Sequence, residues 1–196
     1  DTMGDFEKVE NAANIVTSAD ELAKPVVIPA EAYISPEYAR AEREKLWTKV
    51  WLQAGRVEDI PQVGNYITFE IAGESIVIVR ASADRINAFY NVCSHRGRKL
   101  VDTPAGSRNG SGRKPNFICA YHGWQFNLDG DNIHIPHKED WQGVLSAECT
   151  GLSKVKVDTW GGWIWINMDP HSESLLEYLE PAAGMLDPFE LQNMRY

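Results

Sequence analysis

The sequence is short of cysteine, of positive charge and of long apolar runs, and each shortage closes off a class of protein. Three cysteines, Cys93, Cys119 and Cys149, are too few and odd in number for a disulfide framework. The expected localisation is cytoplasmic, a reducing compartment where a Cys beside a His more often signals a metal. No apolar run of about 18 residues occurs, so no membrane span is expected. The opening residues DTMGDFEKVENAAN are acidic and polar, unlike the basic-then-apolar start of a secretory leader. They also lack an initiator Met, which points to processing or trimming there. With 19 Lys and Arg against 28 Asp and Glu, the formal net charge is −9. That balance argues against nucleic acid or an anionic membrane as a partner.

What is present is ordinary globular material: 196 residues, 43% hydrophobic and 24% charged, enough for one domain with an appendage. There is no internal repeat. Residues 1–34 read as an N-terminal arm, punctuated by Pro25 and Pro29. A helix is expected over 35–51, with Ser35 as its cap, Pro36 in the first turn and Glu37 at the positive end of the dipole. Leu46, Trp47, Val50 and Trp51 would form its apolar stripe and pack on the domain C-terminal to it.

Short strands then dominate. NYITFEI places Ile67, Phe69 and Ile71 on one face; SIVIVR and RINAFYNV continue an antiparallel meander. Further strands are expected at NFICA, at WQFNL before the Asp129–Gly130 turn, and at KVKVDTW, which Gly161–Gly162 turns back into WIWINM. Trp160, Trp163 and Trp165 on that hairpin read as core or interface aromatics. SRNGSGRKPN (107–116) is a basic, Gly-rich insertion expected to be a mobile surface loop. SESLLEYLEPAAGML reads as a helix ending near Gly184.

Two segments carry chemistry. Cys93-x-His95 and Cys119-x-x-His122 are separated by 23 residues (96 through 118), and each pair comes after an expected strand. Each also sits in a turn with a glycine, Gly97 or Gly123, which lets backbone amides approach a metal-bound sulfur. Two Cys and two His suit one tetrahedral zinc. They also suit a [2Fe–2S] centre with two Cys on one iron and two His on the other, and the mixed pairs, one Cys and one His per turn, favour that arrangement. Two neutral imidazoles in place of two thiolates reduce the negative charge of the centre and raise its potential.

The segments CSHRG and CAYHGWQFNLDG resemble the Rieske iron–sulfur signature. With EREKLWTKVWLQAGRVEDIPQVGNYITFEI before them and VDTWGGWIWINMDP after them, they are similar to the large (alpha) subunit of Rieske-type aromatic-ring-hydroxylating oxygenases. The resemblance implies a mainly β fold. It would be a Rieske-type antiparallel β-sandwich with a cluster-binding subdomain of two hairpin tips, flanked by N- and C-terminal helices. The implied domains are the arm (1–34), the helix (35–51), the Rieske [2Fe–2S] domain (52–169), and a C-terminal helix with the start of a linker (170–196). By the family pattern Cys93 and Cys119 ligate one iron, and His95 and His122 the other.

The family's chemistry, dioxygenation or monooxygenation in aromatic catabolism, takes place at a mononuclear Fe(II) in a C-terminal domain. That domain is expected to begin about where FELQNMRY ends. Implied partners are a ferredoxin or reductase as electron donor, the catalytic domain of the same or a neighbouring alpha subunit in a trimer, and in some assemblies a beta subunit.

The gap between half-motifs exceeds the family's usual one, and the insertion 107–116 accounts for it at small entropic cost. Arg108, Arg113 and Lys114 would then be a solvated loop rather than a docking surface. His134 and His137, three apart around Pro136, would face opposite ways if extended and so do not suggest a second metal site. Cys149 reads as an ordinary small, buried or half-buried residue. Arg96 and Arg98 read as surface cations, with pairing to acids of a neighbouring domain as the functional alternative. Trp124 would shield the cluster, help form a contact, or simply fill the core.

Quinol-oxidising Rieske proteins add a membrane anchor and a disulfide between the tips. Arg98 and Tyr121 occupy those positions here, and Trp124 stands where they have a Ser. A stand-alone Rieske ferredoxin would lack the flanking helices. A structural zinc module is the remaining alternative.

Overall fold

A computed structural model describes residues 28–104, 107 and 109–194. Most of the expected arm lies outside the described residues. The chain divides into two units, Asp1–Arg40 and Ala41–Tyr196. In the first, a single turn α1 (Glu31–Ile34) is followed by the start of α2 (Pro36–Glu42). Ser35 caps as expected, its Oγ accepting from the Tyr38 amide at 3.2 Å and donating to Glu37 at 3.0 Å.

In the second unit the backbone runs on as a π-turn over Arg43–Trp47 and then leaves helical geometry, short of the expected end at 51. Trp51 is 5% exposed, and its Nε1 donates to the Glu173 carbonyl at 3.2 Å. Inserting that ring requires an extended backbone into β1 (Leu52–Arg56), so tertiary burial overrides the helical spacing of Leu46–Trp51.

The body is a seven-stranded antiparallel sheet. Its strands are β1, β2 (Asn65–Ile71), β3 (Glu74–Arg80), β4 (Ile86–Tyr90), β5 (Ser111–Arg113), β9 (Lys154–Trp160) and β10 (Trp163–Asn167), in the order β1-β10-β9-β4-β3-β2-β5. A second, three-stranded sheet consists of β6 (Phe117–Ile118), β7 (Gln125–Phe126) and β8 (Asn132–His134). The meander expected over 65–90 is present, with Ile67 facing Ile78 and Val77 facing Phe89.

Side chains on a strand alternate between faces, and β3 uses both. Ile76 and Ile78 join a core with Ala88, Val155, Ile164 and Ile166, against which Ile67, Phe69 and Ile71 pack. Val77 and Val79 join a second core with Phe89, Phe117, Phe126, Cys93 and Cys119. The two-residue strands β6 and β7 therefore sit on the back of the large sheet, anchored by Phe117 and Phe126, both fully buried.

Three further expectations are corrected. The insertion at 107–116 is not simply a mobile loop: residues 111–113 form the edge strand β5, with Gly112 opposite Tyr66. A Cβ on Gly112 would fall 2.8 Å from the Tyr66 hydroxyl and 3.0 Å from its ring, so the small residue that signalled a loop instead permits close strand packing. Arg108 lies outside the described residues, and the Arg113 guanidinium donates back to the Val63 carbonyl at 3.0 Å.

The C-terminal helix is two short helices, α4 (Leu175–Leu179) and α5 (Ala182–Leu186). They are separated because Pro181 has no N–H to donate and forces Glu180 into extended geometry. α4 begins with a reciprocal capping box between Ser174 and Glu177.

Cys149, in a single turn α3 (Ala147–Thr150), is exposed rather than buried. Its thiol lies against the amide and hydroxyl of Ser146, which hold it below the ordinary value of 9.0.

Candidate metal centre

The two half-motifs fold into the same turn. After β4, Cys93 N–H donates to the Arg98 carbonyl at 2.8 Å and Gly97 N–H donates to the Cys93 carbonyl at 2.9 Å. Between β6 and β7, Cys119 N–H donates to the Trp124 carbonyl at 2.8 Å and Gly123 N–H to the Cys119 carbonyl at 3.0 Å. The glycines take φ of 70° and 74°, left-handed values that suit a residue without Cβ. At Gly123 a Cβ would in addition lie 3.3 Å from Pro136 Cγ. The spacing difference between the motifs, one or two residues from Cys to His, is absorbed within a common six-residue loop.

The first turn is held by a residue that sequence reasoning missed. Asn91 is fully buried. Its Nδ2 donates to the Val101 carbonyl at 2.8 Å and to Ser75 Oγ at 3.1 Å, while its Oδ1 accepts from the Leu100 and Val101 amides, both at 3.1 Å. One amide side chain thus ties both ends of the loop together. A lone Asn inside the apolar run FYNVC was the available signal. Ser94 Oγ adds a bond to the Thr150 carbonyl at 2.8 Å.

The turns bring the four Cys and His side chains together as two pairs. Cys93 and Cys119 are free thiols, 2% and 3% exposed, inside the second core. Burial pushes the Cys93 thiol up, and the adjacent Cys119 sulfur adds to the rise. The amides of His95 and Arg96 point at the Cys93 sulfur and act the other way. The imidazoles lie outward, His95 half-buried and His122 exposed, with ring centroids 4.7 Å apart. Burial lowers the His95 pKa, and the charges of His122 and Arg96 lower it further, which favours the neutral, metal-binding form.

Among the described residues no three His, Cys, Asp or Glu side chains are grouped as the ligands of a single ion would be. Two sulfurs inward, two imidazoles outward and amides directed at sulfur are a donor set that fits a [2Fe–2S] group.

Aromatic rings surround the imidazoles. Trp124 stacks on His95, centroids 4.9 Å apart and planes 4° from parallel, and at 4% exposure it belongs to the second core. Trp141 meets His95 edge-on at 5.7 Å and Trp124 at 6.0 Å. Tyr121 lies 3.7 Å from His122 and is 58% exposed. Trp141 was also missed: its place depends on packing across the fold, with no local motif to announce it.

Other singled-out residues lie elsewhere. His134 ends β8, exposed, and His137 is exposed with Glu139 at 3.9 Å. Arg98 is engaged within its own chain, forming a two-point pair with Asp102 at 2.7 and 2.8 Å. The hairpin tryptophans lie away from the site: Trp163 stacks under the Arg56 guanidinium at 4.7 Å and Trp160 donates to Asp187 at 3.0 Å.

Comparison with known proteins gives a consistent result. The Rieske [2Fe-2S] domain model matches residues 50–156. The chain is 35% identical over 158 residues to the carnitine monooxygenase oxygenase subunit of Escherichia coli K12, covering 80% of this chain and 40% of that one. It is 34% identical over 154 residues to the large oxygenase component of the naphthalene 1,2-dioxygenase system of Pseudomonas fluorescens, covering 78% and 33%. Among solved structures, the apo form of a quaternary ammonium Rieske monooxygenase superposes with a TM-score of 0.73 at 31% identity, over 83% of this chain and 45% of the other. The chain thus spans less than half the length of these relatives.

Proposed function

The chain belongs to the Rieske [2Fe-2S] domain family, and from that premise we propose that it is the electron-transfer domain of an oxygenase alpha subunit. In this reading it takes single electrons from a ferredoxin or reductase and delivers them to a mononuclear non-haem iron in a catalytic domain of its own or a neighbouring subunit. Cys93 and Cys119 hold one iron of the cluster, and His95 and His122 the other. The observation that carries the reading is the inward thiol pair and outward imidazole pair on two turns with the same closing bonds.

The bound cluster supplies one-electron storage at a potential raised by its imidazole ligands. The chain's own residues do the rest. Amides of His95 and Arg96 offset negative charge at the Cys93 sulfur. The second core excludes water from the thiol side, and exposed His122 places an imidazole at the surface, where a partner can approach. The near-equal likeness to a carnitine and a naphthalene enzyme suits a portion that handles electrons while substrate choice resides elsewhere.

The domain division expected from the sequence, with 52–169 as the Rieske domain, is proposed on the same basis. No helix among the described residues is long and apolar enough to cross a membrane.

The test is metal and spectrum together. Purified protein is expected to be brown, to contain two irons per chain, and to give an EPR signal after one-electron reduction. A colourless protein holding stoichiometric zinc and no iron overturns the reading in favour of a structural zinc module.

A further inference from the structure

We propose that Trp141 is a positioning residue for the cluster, fixing the His95 imidazole and keeping water from that side while His122 stays open. The inference rests on the Rieske reading above.

Trp141 reaches the site on a strap that runs over the second turn. Ile135, 7% exposed, enters the core that holds the two cysteines, and Pro136 closes on Gly123. The chain then makes a 3-10 turn over Lys138–Trp141, bracketed by His137 at φ 53° and Gln142 at φ 50°. Two left-handed residues that are not glycine flank one four-residue turn, a conformation that persists only where its surroundings fix it. The turn is closed by Asp140 N–H to the His137 carbonyl at 3.0 Å and Gln142 N–H to the Glu139 carbonyl at 3.2 Å.

What this geometry delivers is a ring set edge-on to both His95 and Trp124, which are themselves stacked face to face. His95 is thus held on one face by Trp124 and confined by Trp141, whereas the ring against His122, apart from His95, is the exposed Tyr121. The two imidazoles of the pair are therefore not equivalent. Trp141 is half-buried and meets aromatic rings at defined angles.

The consequence is measurable without turnover. The oxidised core, 2+, is neutralised by two thiolates, and adding one electron from dithionite leaves the centre with one net negative charge. Water admitted beside His95 stabilises that charged form, so losing the ring raises the potential. In the full chain with its cluster, Trp141→Ala is expected to retain two irons and to shift the reduction equilibrium about tenfold toward the reduced form, about 59 mV for one electron. Pulsed EPR is expected to show altered coupling to one ring nitrogen only. Trp141→Leu is expected to shift likewise, and Trp141→Phe, which restores an aromatic ring, to stay near the parent.

An iron-loaded Ala or Leu variant with unchanged potential and nitrogen couplings overturns the inference. So does a Phe variant displaced as far as Ala, or loss of iron from both Ala and Leu, which would make Trp141 a structural residue. A parent protein that holds no iron instead defeats the Rieske reading itself.

Discussion

On one face of β3, Ile76 and Ile78 share a core with Ala88, Val155, Ile164 and Ile166; on the other, Val77 and Val79 share one with Phe89, Phe126, Cys93 and Cys119. The first core lies among strands of five to seven residues, whose ladders are long and irregular only between Gln53 and Gly55 of β1. The second covers strands of two and three residues, joined by turns, and contains two free thiols. Strands that short contribute few ladder bonds, so the small sheet is held chiefly by the side chains it sends into the second core and by whatever binds the thiols. The sheet side folds on apolar burial; the cluster side depends in addition on its metal. A binding free energy that exists only in the folded state is folding free energy.

The sharpest way to break that contrast is to remove a ligand. Cys119→Ser or His122→Ala is expected to lose the cluster. Amide hydrogen exchange should then accelerate over 91–104 and 117–135 while β2, β3, β9 and β10 stay protected. Retention of the full visible spectrum in either variant counts against the ligand assignment, and uniform loss of protection counts against two separable cores.

Next in size, Ile78→Ala on the sheet side is expected to cost about 3 kcal/mol in denaturant unfolding, equally with and without iron. A cost that depends on the cluster would mean the cores are coupled through β3. Asn91→Ala should cost about 2 kcal/mol, because it strands the Val101 carbonyl and two amides in a dry site. Its signature is faster release of iron; a variant that unfolds earlier but releases iron at the parent rate would assign Asn91 to the sheet instead.

How much of the molecule was legible in its sequence depends on the range of the interactions. The meander over 65–90 was readable because Ile67, Phe69 and Ile71 alternate in sequence as they do in the core. The four Cys and His residues were readable because each pair and its glycine lie in one turn. Asn91 and Trp141 were not: one acts through backbone groups nine and ten residues away, the other through rings brought over by the strap. β5 was hidden for a different reason. Its Gly112 carries a loop signal, yet Tyr66 needs that missing side chain. The helix ending at Trp47 rather than Trp51, and the break at Pro181, show local periodicity yielding first to the burial of Trp51 and then to a proline.

The smallest expected effect tests whether the sheet side also responds to pH without the metal. The Asp169 carboxyl is held below its ordinary 3.8, chiefly by the His171 amide at 2.9 Å and then by Lys49 at 3.1 Å. A carboxyl depressed in the folded chain stabilises it above the unfolded value, and that contribution fades as pH falls below 3.8 through the folded value. Carbon-detected NMR titration should therefore place Asp169 below 3.8 with or without iron. Lys49→Met should bring it only part of the way back, since the amide remains. Full return to the ordinary value in that variant would make the ammonium, not the backbone, the main cause. A midpoint that moved when iron was removed would show the metal's influence reaching across β3, and the division between the two cores would fail at its least perturbing test.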